Sequence, residues 1–123
     1  HRIPVSVSTG HLAEAITRLR ERDVAVVVAT CPDLGELRAV PQPLRSIGSR
    51  LSKQLADAQA RPAVENGAHV FSLGRTVGPM FLSAPDEMFS LDRFHPSALG
   101  YARTADALLP VALDALRASE SVA

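Results

Sequence analysis

Hydrophobic residues recur at helical spacing in three segments of the chain. In residues 10–22, apolar side chains stand at positions i, i+3, i+4 and i+7, with charged side chains between them. Further apolar stripes cover residues 44–58 and 98–116, where Pro110 is expected to kink or divide the helix. The first helix is predicted to have Ser8 or Thr9 as its N-cap, and Pro62 and Gly67 are predicted to bracket the end of the second.

Short apolar runs between these helices predict β-strands. Residues 24–29 are β-branched or alanine without alternation, which is typical of a strand buried on both faces of a parallel sheet. Residues 68–73 form a second such run, and residues 3–8 are a further candidate strand. Strand, helix and strand in this order predict a right-handed βαβ unit. Residues 74–91 contain two prolines and are expected to be irregular, although several large apolar side chains there need cover.

Two or three strands are too few for a parallel sheet covered by helices on both faces, which usually has about 4 to 6 strands. The predicted strands would keep unpaired edges. The pattern therefore predicts an α/β fold in which residues 1–118 are part of a larger single domain and residues 119–123 are a flexible tail. Residues missing from this chain, or a partner chain, would supply the other strands.

The charge balance excludes some classes of partner. The chain of 123 residues has 13 Lys and Arg against 13 Asp and Glu, so no net positive field attracts nucleic acid. The longest apolar run, residues 24–29, is far shorter than the roughly 20 residues that span a bilayer. We therefore expect a soluble protein without a nucleic-acid partner or a membrane span, and both the cytoplasm and secretion stay open as its compartment.

Cysteine and histidine usage bears on metals and covalent chemistry. The single cysteine, Cys31, excludes an internal disulfide, and the four histidines lack the spacing of metal ligands. We expect no bound metal. Cys31 could be a nucleophile at the end of a strand, but a lone cysteine is more often a small buried hydrophobe.

Asp92 and His95 are the sharpest candidates for chemistry. They stand three residues apart before the last helix. An imidazole that acts as a general base needs a carboxylate on its other nitrogen, which this spacing allows. The alternative is structural: Asp92 caps a turn, His95 and Pro96 lead into the helix, and Ser97 is its N-cap.

The string Asp-Arg-Phe-His-Pro-Ser-Ala-Leu-Gly-Tyr-Ala at residues 92–102 resembles the C-terminal block of the GDSL, or SGNH, serine hydrolases. Residues 26–35 look like the strand and loop that follow the oxyanion-hole block of that family. The resemblance implies a flavodoxin-like three-layer α/β/α sandwich, of which residues 1–118 would be the C-terminal part.

The same resemblance implies an esterase or lipase that needs no cofactor. His95 would take the proton of a nucleophilic serine, and Asp92 would orient His95. The Gly-Asp-Ser segment that carries the nucleophile in this family is absent from the chain. A companion N-terminal fragment or a partner chain is therefore expected to supply it, and the substrate would be a small-molecule or lipid ester.

Two further alternatives stay open at this point. The apolar residues of segment 80–89 could line an acyl pocket beside His95, or they could pack under the last helix. The chain could also be a non-catalytic α/β subunit, or an interaction module that pairs its sheet edge with a partner.

Overall fold

Two parallel strands with helices against both faces form the centre of the computed structural model, which describes residues 3–121. The elements in chain order are α1 (Val5–Arg20), β1 (Val27–Ala29), a 3₁₀ turn (Leu34–Glu36), α2 (Leu44–Glu65), β2 (His69–Phe71), α3 (Leu73–Thr76), α4 (Gly78–Ser83), α5 (Pro85–Met88) and α6 (Ala98–Glu120). No helix within residues 3–121 is both long and apolar enough to cross a membrane.

The sheet consists of β1 and β2, paired in parallel with Val28 opposite Val70. Helix α2 connects the two strands, so the predicted strand–helix–strand unit is confirmed. Both strands are shorter than the apolar runs that contain them, because pairing covers only three residues of each.

Successive strand residues point to opposite faces of the sheet and contribute to two separate cores. On one face, Val28 and Val70 pack against Ile16 of α1 and Ala63 of α2. On the other face, Phe71 packs in a cluster with side chains of the 73–89 segment and with α6. This helix, sheet, helix order is compatible with the predicted α/β class.

The candidate strand at residues 3–8 is wrong, because helix α1 already begins at Val5. The start predicted at residue 10 is wrong for the same reason. Thr9 lies inside the helix and donates its hydroxyl to the carbonyl of Val5 instead of capping the first turn. Val5 and Val7 are exposed, so neither valine contributes to a core.

The ends of the two long helices agree with the prediction only in part. Helix α2 ends at Glu65, between Pro62 and Gly67 as predicted, and Gly67 adopts the left-handed conformation, with φ +81°. Helix α6 is continuous through Pro110 to Glu120, so the predicted division does not occur. It includes the first two residues of the predicted tail, and residues 122 and 123 lie outside the described range.

The segment expected to be irregular contains the three short helices α3, α4 and α5. Pro79 lies in the first turn of α4 and Pro85 in that of α5, positions that need no backbone N–H donor. Prolines that predicted a loop are therefore helix starts. Phe81 and Met88 of this segment are buried in the same cluster as Phe71.

Gly100 lets the first turn of α6 approach the backbone of residue 88 closely. A Cβ atom at this position would overlap the carbonyl oxygen of Met88, which accepts a hydrogen bond from the Ser97 N–H at 2.8 Å. A backbone carbonyl cannot move aside to relieve this overlap as easily as the end of a flexible side chain can. We therefore expect Gly100→Ala to destabilise the protein by about 1 to 3 kcal/mol, measured by urea unfolding.

The matched control is Gly10→Ala in the middle of α1, where no atom beyond the chain neighbours and the local helix backbone lies within 4 Å of the added methyl group. Alanine is the better helix former, so this variant should gain about 0.5 to 1 kcal/mol. Equal effects of the two substitutions would contradict the close approach at Gly100.

Candidate active site

Residues 89–97 form a closed turn that projects from the core. Phe89 and Pro96 make an antiparallel bridge at its base. Within the turn, the Ser90 N–H donates to the His95 carbonyl at 2.8 Å. The backbone therefore holds Asp92 and His95 at the tip of a short loop fixed at both ends.

The Asp92 carboxylate accepts four hydrogen bonds from within this turn. Its Oδ1 accepts from the Ser90 hydroxyl at 2.7 Å and from the N–H groups of Phe94 and His95, both at 2.9 Å. Its Oδ2 meets Nδ1 of His95 at 2.6 Å. The two predicted roles of Asp92, capping the turn and contacting the imidazole, thus coexist on different oxygens.

These contacts keep Asp92 ionised. The hydrogen bond from His95 lowers the pKa of the Asp92 carboxyl well below its usual range, and the Ser90 hydroxyl and the two backbone N–H groups lower it further. An ionised carboxylate only accepts hydrogen bonds, so Nδ1 of His95 carries the proton in this contact. The neutral imidazole then has its free lone pair on Nε2.

Arg93 adopts the left-handed backbone conformation, with φ +56°. Such a conformation is unfavourable for a side chain with a Cβ and is found where surrounding contacts enforce it. Here it turns the chain between Asp92 and Phe94, so that two successive N–H groups reach the same carboxylate oxygen.

His95 is accessible to a reactant, since 65% of its side chain is exposed. Phe94 packs edge-on against the imidazole, with ring centroids 5.0 Å apart. Among the described residues, only Asp92 makes a hydrogen bond with the ring. Nε2 is therefore free to accept a proton.

His95 also lines a cavity of about 330 Å³ whose wall is mostly apolar. Phe81 and Phe89 contribute to this wall, and both also belong to the core cluster that packs against α6. Residues of segment 80–89 thus both line a cavity beside His95 and pack against α6. The other apolar lining residues include Leu34, Leu37, Leu73, Val77, Phe94 and Tyr101.

Glu36 lies in the same cavity wall and has no counterpart in the sequence prediction. It is 8% exposed, and its carboxylate lies against Gly78, where any side chain would overlap it. The pKa of Glu36 is raised to about 7, mainly by burial. The negative charge of Asp33 also raises it, and the positive charge of Lys53 lowers it by less. No pattern in the residues around Glu36 predicts this burial, because Gly78 of α4, which is distant in the chain, packs against its side chain.

The structure favours structural explanations for Ser97 and Cys31, two further candidates from the sequence. The Ser97 hydroxyl accepts from the Gly100 N–H, which confirms it as the N-cap of α6. Cys31 is half-buried, and burial together with the charge of Asp33 raises the pKa of its thiol, which disfavours the thiolate. Within residues 3–121, no group of three or more potential metal ligands comes together.

A solvent-accessible imidazole, oriented by an ionised carboxylate beside an apolar cavity, is the arrangement of a general base in hydrolases with an activated nucleophile. The chain is 44% identical over 112 residues to the GDSL-like esterase Rv1075c of Mycobacterium tuberculosis (strain ATCC 25618 / H37Rv). The match covers 91% of this chain and 36% of that protein, so the chain spans about a third of its relative. The predicted resemblance to GDSL-type esterases is confirmed. No protein-family model and no solved structure matches the chain.

The buried carboxyl of Glu36 predicts a pH-dependent effect on stability. Its pKa in the folded protein is about 7, above the ordinary 4.5, so its ionisation costs stability as pH rises through this interval. Glu36→Gln abolishes that ionisation. The variant's free energy of unfolding, relative to the unsubstituted protein, should increase by about 1 to 3 kcal/mol between pH 5 and pH 8.

Urea unfolding at several pH values measures this difference. Glu65→Gln, at an exposed position at the end of α2, is the control for loss of a carboxyl group. A difference between Glu36→Gln and the unsubstituted protein that stays constant from pH 5 to pH 8 would show that Glu36 ionises without a burial cost.

Proposed function

We propose that this chain carries the base and its orienting acid in a GDSL-type serine esterase. The observation that carries the proposal is the 2.6 Å contact between Asp92 Oδ2 and His95 Nδ1, which leaves the exposed imidazole with Nε2 free beside an apolar cavity. Similarity to a GDSL-like esterase supports the same class of reaction.

In the proposed reaction, His95 Nε2 takes the proton of a serine hydroxyl while the serine oxygen attacks the ester carbonyl. Asp92 keeps the imidazole oriented and stabilises the imidazolium that forms. His95 then gives the proton to the leaving alcohol, and an acyl-enzyme results. A water molecule, deprotonated by the same nitrogen, attacks the acyl-enzyme, and the serine leaves with the proton from His95.

The serine is proposed to come from a segment outside this chain. The two serines of the turn are engaged elsewhere: the Ser90 hydroxyl donates to Asp92, and the Ser97 hydroxyl donates to the Glu87 carbonyl. Among the described residues, no serine hydroxyl bonds to His95. A companion N-terminal segment or a partner chain would supply the nucleophile.

The same segment would extend the parallel sheet into the proposed three-layer sandwich, with residues 1–118 as the C-terminal part of one domain. Within the described residues, β1 pairs only with β2, and Ala29 at its end is exposed. A free parallel edge needs a further strand or another cover. This support is independent of the resemblance.

An ester with an apolar part is the proposed substrate. The cavity beside His95 has an apolar wall, and Leu91 and Phe94 expose large apolar surfaces on the same turn. Burial of an alkyl chain contributes about 0.8 kcal/mol per methylene group. Small-molecule and lipid esters both meet this requirement.

Substitution of the pair tests the mechanism. His95→Ala removes the base. We expect kcat/KM of the complete enzyme, including the segment that carries the serine, to fall by about 10³-fold or more for a p-nitrophenyl ester. Asp92→Asn keeps an oxygen for the turn but loses the negative charge, so a fall of about 10² to 10⁴-fold is expected. His11→Ala, at an exposed position on α1, is the control. Full activity of a folded His95→Ala variant would refute the assignment.

The position of the nucleophile can be measured separately. After reaction with a fluorophosphonate probe, intact-mass spectrometry under denaturing conditions should place the adduct on a serine outside the 123 residues of this chain. An adduct on one of its own serines would contradict the proposal. A well-folded purified protein with no adduct would favour the alternative, a non-catalytic α/β subunit or interaction module.

A further inference from the structure

Ser90 lies at the start of the turn that holds Asp92 and His95, and its backbone and its side chain are both hydrogen-bonded within that turn. Its N–H donates to the His95 carbonyl at 2.8 Å, and its carbonyl accepts the Arg93 N–H at 2.9 Å. Its hydroxyl donates to Asp92 Oδ1 at 2.7 Å. Any residue with a backbone N–H can make the first two bonds, so the third is the contribution that needs a hydroxyl group.

The Ser90 hydroxyl approaches Asp92 from the opposite direction along the chain to the backbone donors. Phe94 and His95, whose N–H groups also bind Oδ1, follow Asp92 in the sequence, whereas Ser90 precedes it. Donors from both directions restrict rotation of the carboxylate more than donors from one direction. With Oδ1 held in this way, Oδ2 is the oxygen left for Nδ1 of the imidazole, 2.6 Å away.

Packing does not fix the orientation of Asp92. Half of its side chain is exposed to solvent. Water therefore competes for the carboxylate oxygens, and hydrogen bonds from the chain must supply the order that burial supplies in a closed site. A hydrogen bond to an ionised group is about twice as strong as one between neutral groups. Ser90 is itself half-buried, so the fold places this donor next to the carboxylate.

The neighbouring Ser97 shows how a purely structural serine is bonded in the same turn. Its hydroxyl accepts from the Gly100 N–H and donates to the Glu87 carbonyl, so both of these partners are backbone groups. The Ser90 hydroxyl instead binds a side chain of the proposed catalytic pair. After the hydrogen bond from His95, the bond from Ser90 is the next largest cause of the lowered pKa of Asp92, and it favours the charge that stabilises an imidazolium.

We propose that Ser90 is a positioning residue of this site: its hydroxyl holds the Asp92 carboxylate so that Oδ2 stays in contact with Nδ1 while Nε2 of His95 takes up and returns the proton. The inference rests on the proposed esterase function. Ser90 acts only through Asp92 and does not touch the reacting atoms. Loss of its hydroxyl should therefore slow the chemical steps and leave substrate binding nearly unchanged.

Kinetics of the complete enzyme, including the segment that carries the nucleophilic serine, test this role. Ser90→Ala removes the hydroxyl and keeps both backbone bonds, so kcat for a p-nitrophenyl ester should fall about 10- to 100-fold. KM should change by less than about 3-fold, because acylation and deacylation both use His95 and should slow together. Ser90→Thr retains a hydroxyl and should keep kcat within about 3-fold of the unsubstituted enzyme.

The matched control is Ser83→Ala at the end of α4. It removes an exposed hydroxyl that donates to the Met80 carbonyl, outside the turn of the site, and should leave kcat unchanged. A folded Ser90→Ala variant with unchanged kcat, a rise in KM without a fall in kcat, or a Ser90→Thr variant as impaired as Ser90→Ala would each overturn the proposal.

A double-mutant cycle distinguishes action through Asp92 from a separate contribution of Ser90. In an Asp92→Ala background the Ser90 hydroxyl has lost its acceptor, so Ser90→Ala should lower kcat by less than about 3-fold further. Equal fold losses in the two backgrounds would show that Ser90 acts independently of Asp92, and the positioning role would be wrong.

Ser90→Cys covers the case in which Ser90→Ala does not fold. A thiol fills nearly the same space as the hydroxyl but is a weak donor, so kcat of this variant should be about 10-fold or more below that of Ser90→Thr. Equal kcat values of these two variants would contradict the proposal.

Comparison with His95→Ala separates this inference from the proposed function. If His95→Ala keeps full activity, the proposed function fails and the role of Ser90 fails with it. If His95→Ala loses activity while Ser90→Ala keeps it, the esterase assignment is supported and only the positioning role is refuted.

Discussion

The close packing of the first turn of α6 on the backbone of Met88 is the constraint on which the site depends. Gly100 allows the contact, and the Met88 carbonyl accepts the N–H of Ser97. Phe89 and Pro96 also pair across the base of the turn between these two points. Because Met88 is itself buried with Phe71 of β2, the position of the imidazole is tied to the sheet through the core.

Asp92 shows why structural and catalytic explanations of one residue need not compete. The hydrogen bonds on its Oδ1 define the turn, and the turn brings His95 within reach of Oδ2. A carboxylate that rotates freely loses conformational entropy when it orients the imidazole, and this loss opposes the contact. Here three further donors already hold it in place, although both side chains are exposed to solvent. Order at this site comes from local hydrogen bonds and not from burial.

Hydrophobic spacing and short sequence intervals predict the features of the structure that neighbouring residues determine. The apolar spacing locates α2, α6 and both paired strands, and the three-residue interval locates the Asp92 and His95 contact. Prolines mislead wherever their position within a helix decides their effect, as Pro79 and Pro110 show. Glu36 is beyond such analysis, because its burial depends on Gly78 approaching from another helix. A charged residue in a 3₁₀ turn is normally solvated, and nothing in its neighbours distinguishes this one.

Two carboxylic acids near His95 are in opposite states: Asp92 contacts the imidazole directly, and Glu36 lies in the wall of the cavity that His95 lines. Their environments explain the contrast. Asp92 is exposed and surrounded by donors, which lower the pKa of its carboxyl, whereas burial without donors raises that of Glu36 to about 7. The first arrangement favours a permanent negative charge beside an imidazole. The second favours an uncharged carboxyl up to nearly neutral pH. Neighbouring carboxyl groups can thus have opposite charge states in one small region, since hydrogen-bond donors favour the ionised form and burial disfavours it.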